Sequence, residues 1–132
     1  MASIIEDINE ASQWISKALK SSGYYADFSP ESLNEIERFF NEHSKNGKPK
    51  KKGLLSEKLG SRMFGLGSYV GEVIRQNIGG KWCGDDNDPN VEINVELRLP
   101  DKTVCWPIQK VMKRLKNGKE DNIVAYAKSF GL

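Results

Sequence analysis

The apolar residues of this chain change their period at Gly79-Gly80, and that change bounds what it can fold into. Before the two glycines they recur every three or four residues, the spacing of one buried helix face. Beyond them they alternate: Val91, Ile93, Val95, Leu97 and Leu99 are interleaved with Glu92, Asn94, Glu96 and Arg98. Such alternation predicts a half-buried strand over 91–99. Pro100-Asp101 supplies a turn, Thr103 to Trp106 a return strand, and Lys81 to Cys83 a short strand ahead of the polar loop Gly84 to Asn90. Helices that precede and follow a small antiparallel meander are expected to cover one of its faces. The expectation is therefore an α+β fold in the order three helices, three strands, two helices.

The helices are legible from their ends. Ser3 with Glu6 fits a capping box, and Ile4, Ile8, Ala11, Ile15 and Ala18 then mark a helix over 4–21. Ser29-Pro30-Glu31 opens a second, whose apolar face is Leu33, Ile36, Phe39 and Phe40. Leu55, Leu59, Met63, Leu66, Val70, Ile74 and Ile78 outline a long third helix. Pro107 opens a fourth with Ile108, Val111, Met112 and Leu115 inward, and Ile123, Tyr126, Ala127 and Phe130 outline a fifth. The third is unusual in carrying Gly60, Gly65, Gly67 and Gly71, each costing about 0.5–1 kcal/mol relative to alanine. Gly60, Gly67 and Gly71 share one side. Close approach of another element is expected there; a break of the helix near Gly65 is the second reading and a ligand against bare backbone the third.

Register follows from the turn. If Pro100 and Asp101 form a two-residue turn, Leu97 faces Val104 and Val95 faces Trp106. Trp106 then points into the core, while Thr103 and Cys105 share the outer face with Glu92, Asn94, Glu96 and Arg98. A slip of one residue reverses every one of these assignments.

At 132 residues the chain can build one core without disulfides or metals, and a single domain over 1–132 is expected. No apolar run approaches the roughly 18 to 20 residues of a membrane helix. The first ten residues carry Glu6, Asp7 and Glu10 where a secretory signal needs a basic start. Cys83 and Cys105 are too few for a disulfide framework and are expected as isolated thiols. A cytoplasmic location is expected.

Net charge is only +2, so local patches carry any electrostatic reading. Lys48, Lys50, Lys51 and Lys52 lie in a stretch over about 44–53 with nothing to bury, expected as a mobile loop. Such a cluster attracts phosphate backbones, and Lys110, Lys113, Arg114 and Lys116 would extend it if the fold brought them near. It lacks the aromatic residues that stack bases. Asp85, Asp86 and Asp88 form the opposite patch. Asp86, Asp88 and Asn90 match the first three side-chain positions of a calcium loop, but Val91 stands where its glycine must be, so no metal is expected. His43, the only histidine, ends a helix with nothing nearby in sequence to orient it, and Glu72 is the one candidate buried acid or base. No catalytic residue and no cofactor is expected.

Leu66-Gly67-Ser68-Tyr69-Val70-Gly71-Glu72-Val73-Ile74, followed by Gly79-Gly80-Lys81-Trp82, resembles bacterial small-domain families built on a Gly-x-Tyr-x-Gly-Glu-Val helix and a Gly-x-x-Trp strand start. Pro107-Ile108, Val111, Lys113-Arg114 and Gly118 extend the likeness over about the last half of the chain. These families bring no established activity. Some small bacterial domains of this kind are immunity proteins, which bind and neutralise a partner toxin.

The leading expectation is a protein-binding domain, with immunity function as its sharpest form. Its surface would be the outer sheet face, Glu92, Asn94, Glu96 and Arg98, with Asp85, Asp86 and Asp88, meeting a basic partner. The alternative is a nucleic-acid-associated protein using Lys48, Lys50, Lys51 and Lys52. A small-molecule-binding domain or enzyme is third.

Overall fold

The computed structural model describes residues 3–132; Met1 and Ala2, the first of the N-terminal stretch read above, lie outside the described residues. Its architecture is α+β, with one two-stranded and one three-stranded antiparallel sheet. Helix α1 spans Ile4–Ser21. Ser3 Oγ accepts from the Glu6 N–H at 3.2 Å, as a capping serine should. The next exposed donor, the Ile4 N–H, is taken by Asp86 Oδ1 at 2.7 Å from far along the chain. Ser29 likewise opens a 3-10 turn, Pro30–Ser32, that leads into α2, Leu33–His43.

The lysine-rich stretch expected as a mobile loop is a hairpin instead. Strands β1, Ser44–Lys45, and β2, Lys48–Pro49, pair through Asn46-Gly47. Both turn residues have positive φ, 55° and 79°, the geometry for which Asn-Gly is favoured. Helix α3 then runs over Leu59–Ile78, four residues shorter at its start than the apolar pattern suggested. Leu55 is fully buried, but from the irregular turns ahead of the helix.

The three-stranded sheet is β3, Lys81–Cys83, β4, Glu96–Arg98, and β5, Val104–Cys105, in that order. The strand expected over 91–99 is only its second half, because Val91–Asn94 forms a short helix, α4. The register also differs by one residue: Leu97 pairs with Cys105, and Arg98 with Val104. The cause is the turn. Pro100, Asp101 and Lys102 make a three-residue connection, with Lys102 at φ 74° and the Leu99 N–H donating to the Thr103 carbonyl at 2.8 Å. As a result Cys105 is inside and Trp106 outside, 41% exposed, the reverse of the two-residue-turn expectation. Trp82, Leu97 and Cys105 form one buried row, and Lys81 and Arg98 point outward. Helices α5, Pro107–Asn117, and α6, Ile123–Lys128, complete the chain. The expected order is thus interrupted twice, by the β1–β2 hairpin and by α4.

One cluster of buried apolar side chains joins α1, α2, α3, the sheet, α5 and α6. No helix among the described residues is long and apolar enough to cross a membrane. Close approach explains Gly65, Gly67 and Gly71 of α3, but not Gly60, where it was also expected. A Cβ built at Gly67 would lie 2.6 Å from the Ile108 Cα, and one at Gly71 would overlap the Trp82 ring. Gly60 has open space around it.

These differences make a measurable contrast. Gly67→Ala and Gly71→Ala should each destabilise by about 1–3 kcal/mol through overpacking, whereas Gly60→Ala should be neutral or stabilise by up to about 1 kcal/mol. Urea midpoints of the three variants read this out directly.

Candidate functional site

Helix α4 exists because its side chains compete with the strand pattern and win. Asp88 Oδ1 accepts from the Asn90 N–H at 2.8 Å and its Oδ2 from Asn94 Nδ2 at 2.9 Å. These bonds close a helical turn that period-two alternation alone does not favour. They also hold the Asp88 carboxyl below its usual range, the Asn94 bond first and the Asn90 N–H second.

On one side of α4 is an acidic hollow of about 400 Å³, lined by Cys83, Asp85, Asp88, Asn94, Glu96 and Arg98. Asp85 Oδ1 accepts from the Asn87 N–H at 2.9 Å, and Arg98 is paired with Glu96 at 2.6 Å. With that pair neutral, Asp85 and Asp88 leave the hollow negative. On the other side is an apolar groove of about 320 Å³ whose walls include Met63, Phe64, Glu92, Ile93, Ile108 and Met112. Ile93 is 39% and Met112 41% exposed, although alternation and helical spacing both placed them inside. The sequence carried no sign of this groove: its apolar lining was read as core, and Gly60 near its end as a close approach.

Of the seven residues expected to bind a partner, five therefore line the hollow and Glu92 lines the groove across α4. Glu92 and Asn94 do not lie on a sheet face. Asp86 belongs to neither surface, since its carboxylate caps α1. Asp86 is thus turned to α1, while Asp88 and Asn90 share the turn that leads into α4.

The lysine hairpin rests on α5: a Cβ at Gly47 would lie 2.8 Å from the Lys116 carbonyl oxygen. That brings Lys116 beside the hairpin, but Arg114 is not available to extend a basic patch. It is buried, with Nε 3.0 Å from Glu37 and Nη2 donating to Asn41 Oδ1 at 3.0 Å. Glu37 also accepts from the Ile123 N–H at 2.8 Å and from Asn122 Nδ2 at 3.1 Å, so one carboxylate joins α2, α5 and the start of α6.

His43 is oriented after all. Its Nδ1 accepts from the Leu54 N–H at 3.0 Å, its Nε2 is 3.0 Å from the Tyr24 hydroxyl, and Tyr24 in turn bonds Glu42. Burial lowers its pKa and favours the neutral ring that this acceptor role needs. The network ties the segment after the hairpin to α2 and to the connection between α1 and α2. Glu72 is buried and committed, to Arg75 Nε at 2.6 Å, Arg75 Nη2 at 2.9 Å and Trp82 Nε1 at 2.8 Å. Burial pushes its carboxyl up, but the Arg75 and Trp82 bonds together outweigh it and hold the group below the ordinary range. Such a carboxylate is a fixed anion, unsuited to proton transfer near neutral pH. Both cysteines are free, and burial pushes the Cys105 thiol up to about 11.

No protein-family model, curated protein or solved structure matches this chain.

The two basic residues that adjoin on α5 should separate cleanly. Arg114→Ala removes one partner of a buried pair and should cost about 3 kcal/mol or more, while the exposed Lys113→Ala should change stability by less than about 0.5 kcal/mol. Equal urea midpoints for the two variants would show that Arg114 is not a structural tie.

Proposed function

We propose that this is a protein-binding domain whose partner sits across α4, placing an apolar anchor in the groove and basic residues over the acidic hollow. The observation that supports it is the pair of surfaces on one short helix, with Ile93 and Met112 exposed on one side and Asp85, Asp88 and Glu96 on the other. Large apolar side chains bordered by charge are the composition of protein interfaces: the apolar centre supplies affinity, and the charges set on-rate and exclude wrong partners. Neutralising a toxin through a basic surface is the specific form of this reading, and it rests on the resemblance of the 66–82 segment. The test is capture by the tagged chain from its native cell, followed by quantitative binding of the retained protein. Glu92→Lys combined with Glu96→Lys should weaken binding about tenfold or more, chiefly through a slower on-rate. Met112→Asp should weaken it through a faster off-rate. Unchanged affinity in both variants would remove this surface.

A second reading is favoured by one observation, the seating of the hairpin against Lys116. Lys45, Lys48, Lys50, Lys51 and Lys52 are exposed there and near a fifth-helix lysine. Nucleic-acid binding through them predicts a steep salt dependence. Replacing Lys50, Lys51 and Lys52 by alanine should reduce the logarithmic salt slope by about 2–3. Binding that is indifferent to salt, or unaltered in the triple variant, would exclude the hairpin as a phosphate contact.

A further inference from the structure

From the Glu72 cluster we infer that the cleft between α1, α3 and β3 is a binding site for a small organic monocarboxylate with an apolar body. The cleft encloses about 470 Å³, within the range of small-molecule sites, and its lining includes Ile5, Glu6, Glu72, Arg75, Lys81 and Trp82. Ile8 and Trp82 of this lining belong to the core, but Ile5 does not: it is 49% exposed on the flank of α1. In the same lining stands an arginine already fixed in place. Arg75 gives Nε and Nη2 to Glu72, and Glu72 is itself held by Trp82, so the guanidinium loses little freedom on meeting a ligand.

Two observations set the chemistry. Among the described residues Arg75 Nη1 and Lys81 Nζ have no hydrogen-bond partner, and both side chains border the cleft, Arg75 at 38% exposure. These are free donors of positive charge, suited to one carboxylate. A cationic ligand is disfavoured because the buried Glu72 has spent its oxygens on Arg75 and Trp82. Glu6, on the first turn of α1, is the one uncommitted acid on the cleft. Its charge opposes a second negative group, which selects a monocarboxylate over phosphate or a dicarboxylate. The ligand's apolar body lies along Ile5, the exposed apolar side chain of the cleft.

The test uses 3-phenylpropanoate, its neutral amide and inorganic phosphate, each titrated into the full chain and followed by amide and indole N–H resonances. The acid should give saturable shifts at Ile5, Lys81 and the Trp82 indole, with the amide and phosphate each weaker by about tenfold or more. Arg75→Gln should weaken the acid by a similar factor. Because that change leaves Glu72 short of a partner and threatens folding, Lys81→Glu, at an exposed position, is the second variant and should weaken it at least about threefold. Equal binding of acid and amide, no saturable shift at millimolar acid, or wild-type affinity in a folded Lys81→Glu variant would each overturn the assignment.

Discussion

Helices α1 and α5 and the Trp82 ring of β3 dock on α3 at three positions of bare backbone. Gly65 receives Ile15 of α1, Gly67 receives Ile108 of α5, and Gly71 receives the Trp82 ring of β3. Each glycine weakens the helix by about 0.5–1 kcal/mol. Gly67 and Gly71 also let a neighbour approach closer than a Cβ would allow, Gly65 eases a tight contact, and fully burying one large apolar side chain contributes about 1.5–3 kcal/mol. The exchange favours glycine. At Gly71 it has a second consequence, since only a ring seated that deeply brings Trp82 Nε1 within 2.8 Å of Glu72.

That reasoning was half visible in the sequence. Gly67 and Gly71 on one helix face announced close approach, though Gly60 on the same face is open and Gly65, outside it, is packed; caps at Ser3, Ser29 and Pro107 placed three helix starts. The β4–β5 register was not visible, because it turned on whether Lys102 adopts positive φ, which nothing about a lysine announces. Nor was α4. Val91 to Leu99 satisfies perfect alternation, yet four residues are too few for period to separate a helical turn from a strand. The decision fell to Asp88, whose carboxylate ties Asn90 and Asn94 together. Side-chain bonds to nearby backbone are the ordinary rival of regular structure, and here the Asp-Asn-rich run that reads as a loop carried its order into the strand.

The candidate surface was legible as a set of residues and not as a shape. Asp85, Asp88, Asn94, Glu96 and Arg98 do come together, though around a helix rather than on a sheet. Asp86 and Arg114 left their expected patches for a common reason. Each satisfies a group more than 75 positions away, the Ile4 N–H and the Glu37 carboxylate, at separations of 82 and 77 residues. Local composition marks such residues as charged and therefore solvated. Only the tertiary fold shows a buried donor or acid that needs them.

Glu37 and Glu72 show how the same device can close a structure or leave it open. Both are helical, buried glutamates, and both hold an arginine together with an N–H from a distant element. Arg114 is 3% exposed in its side chain and has a second partner in Asn41, so that pair is sealed inside the fold. Arg75 is 38% exposed, gives two nitrogens to the same carboxylate, keeps a third without a partner, and borders a cleft. If Glu72 served only to pin Trp82, a neutral glutamine would do so without a buried charge that must be desolvated. A carboxylate earns its place there by holding a guanidinium at the surface in one orientation, which matters when something else is to be bound by the side that remains.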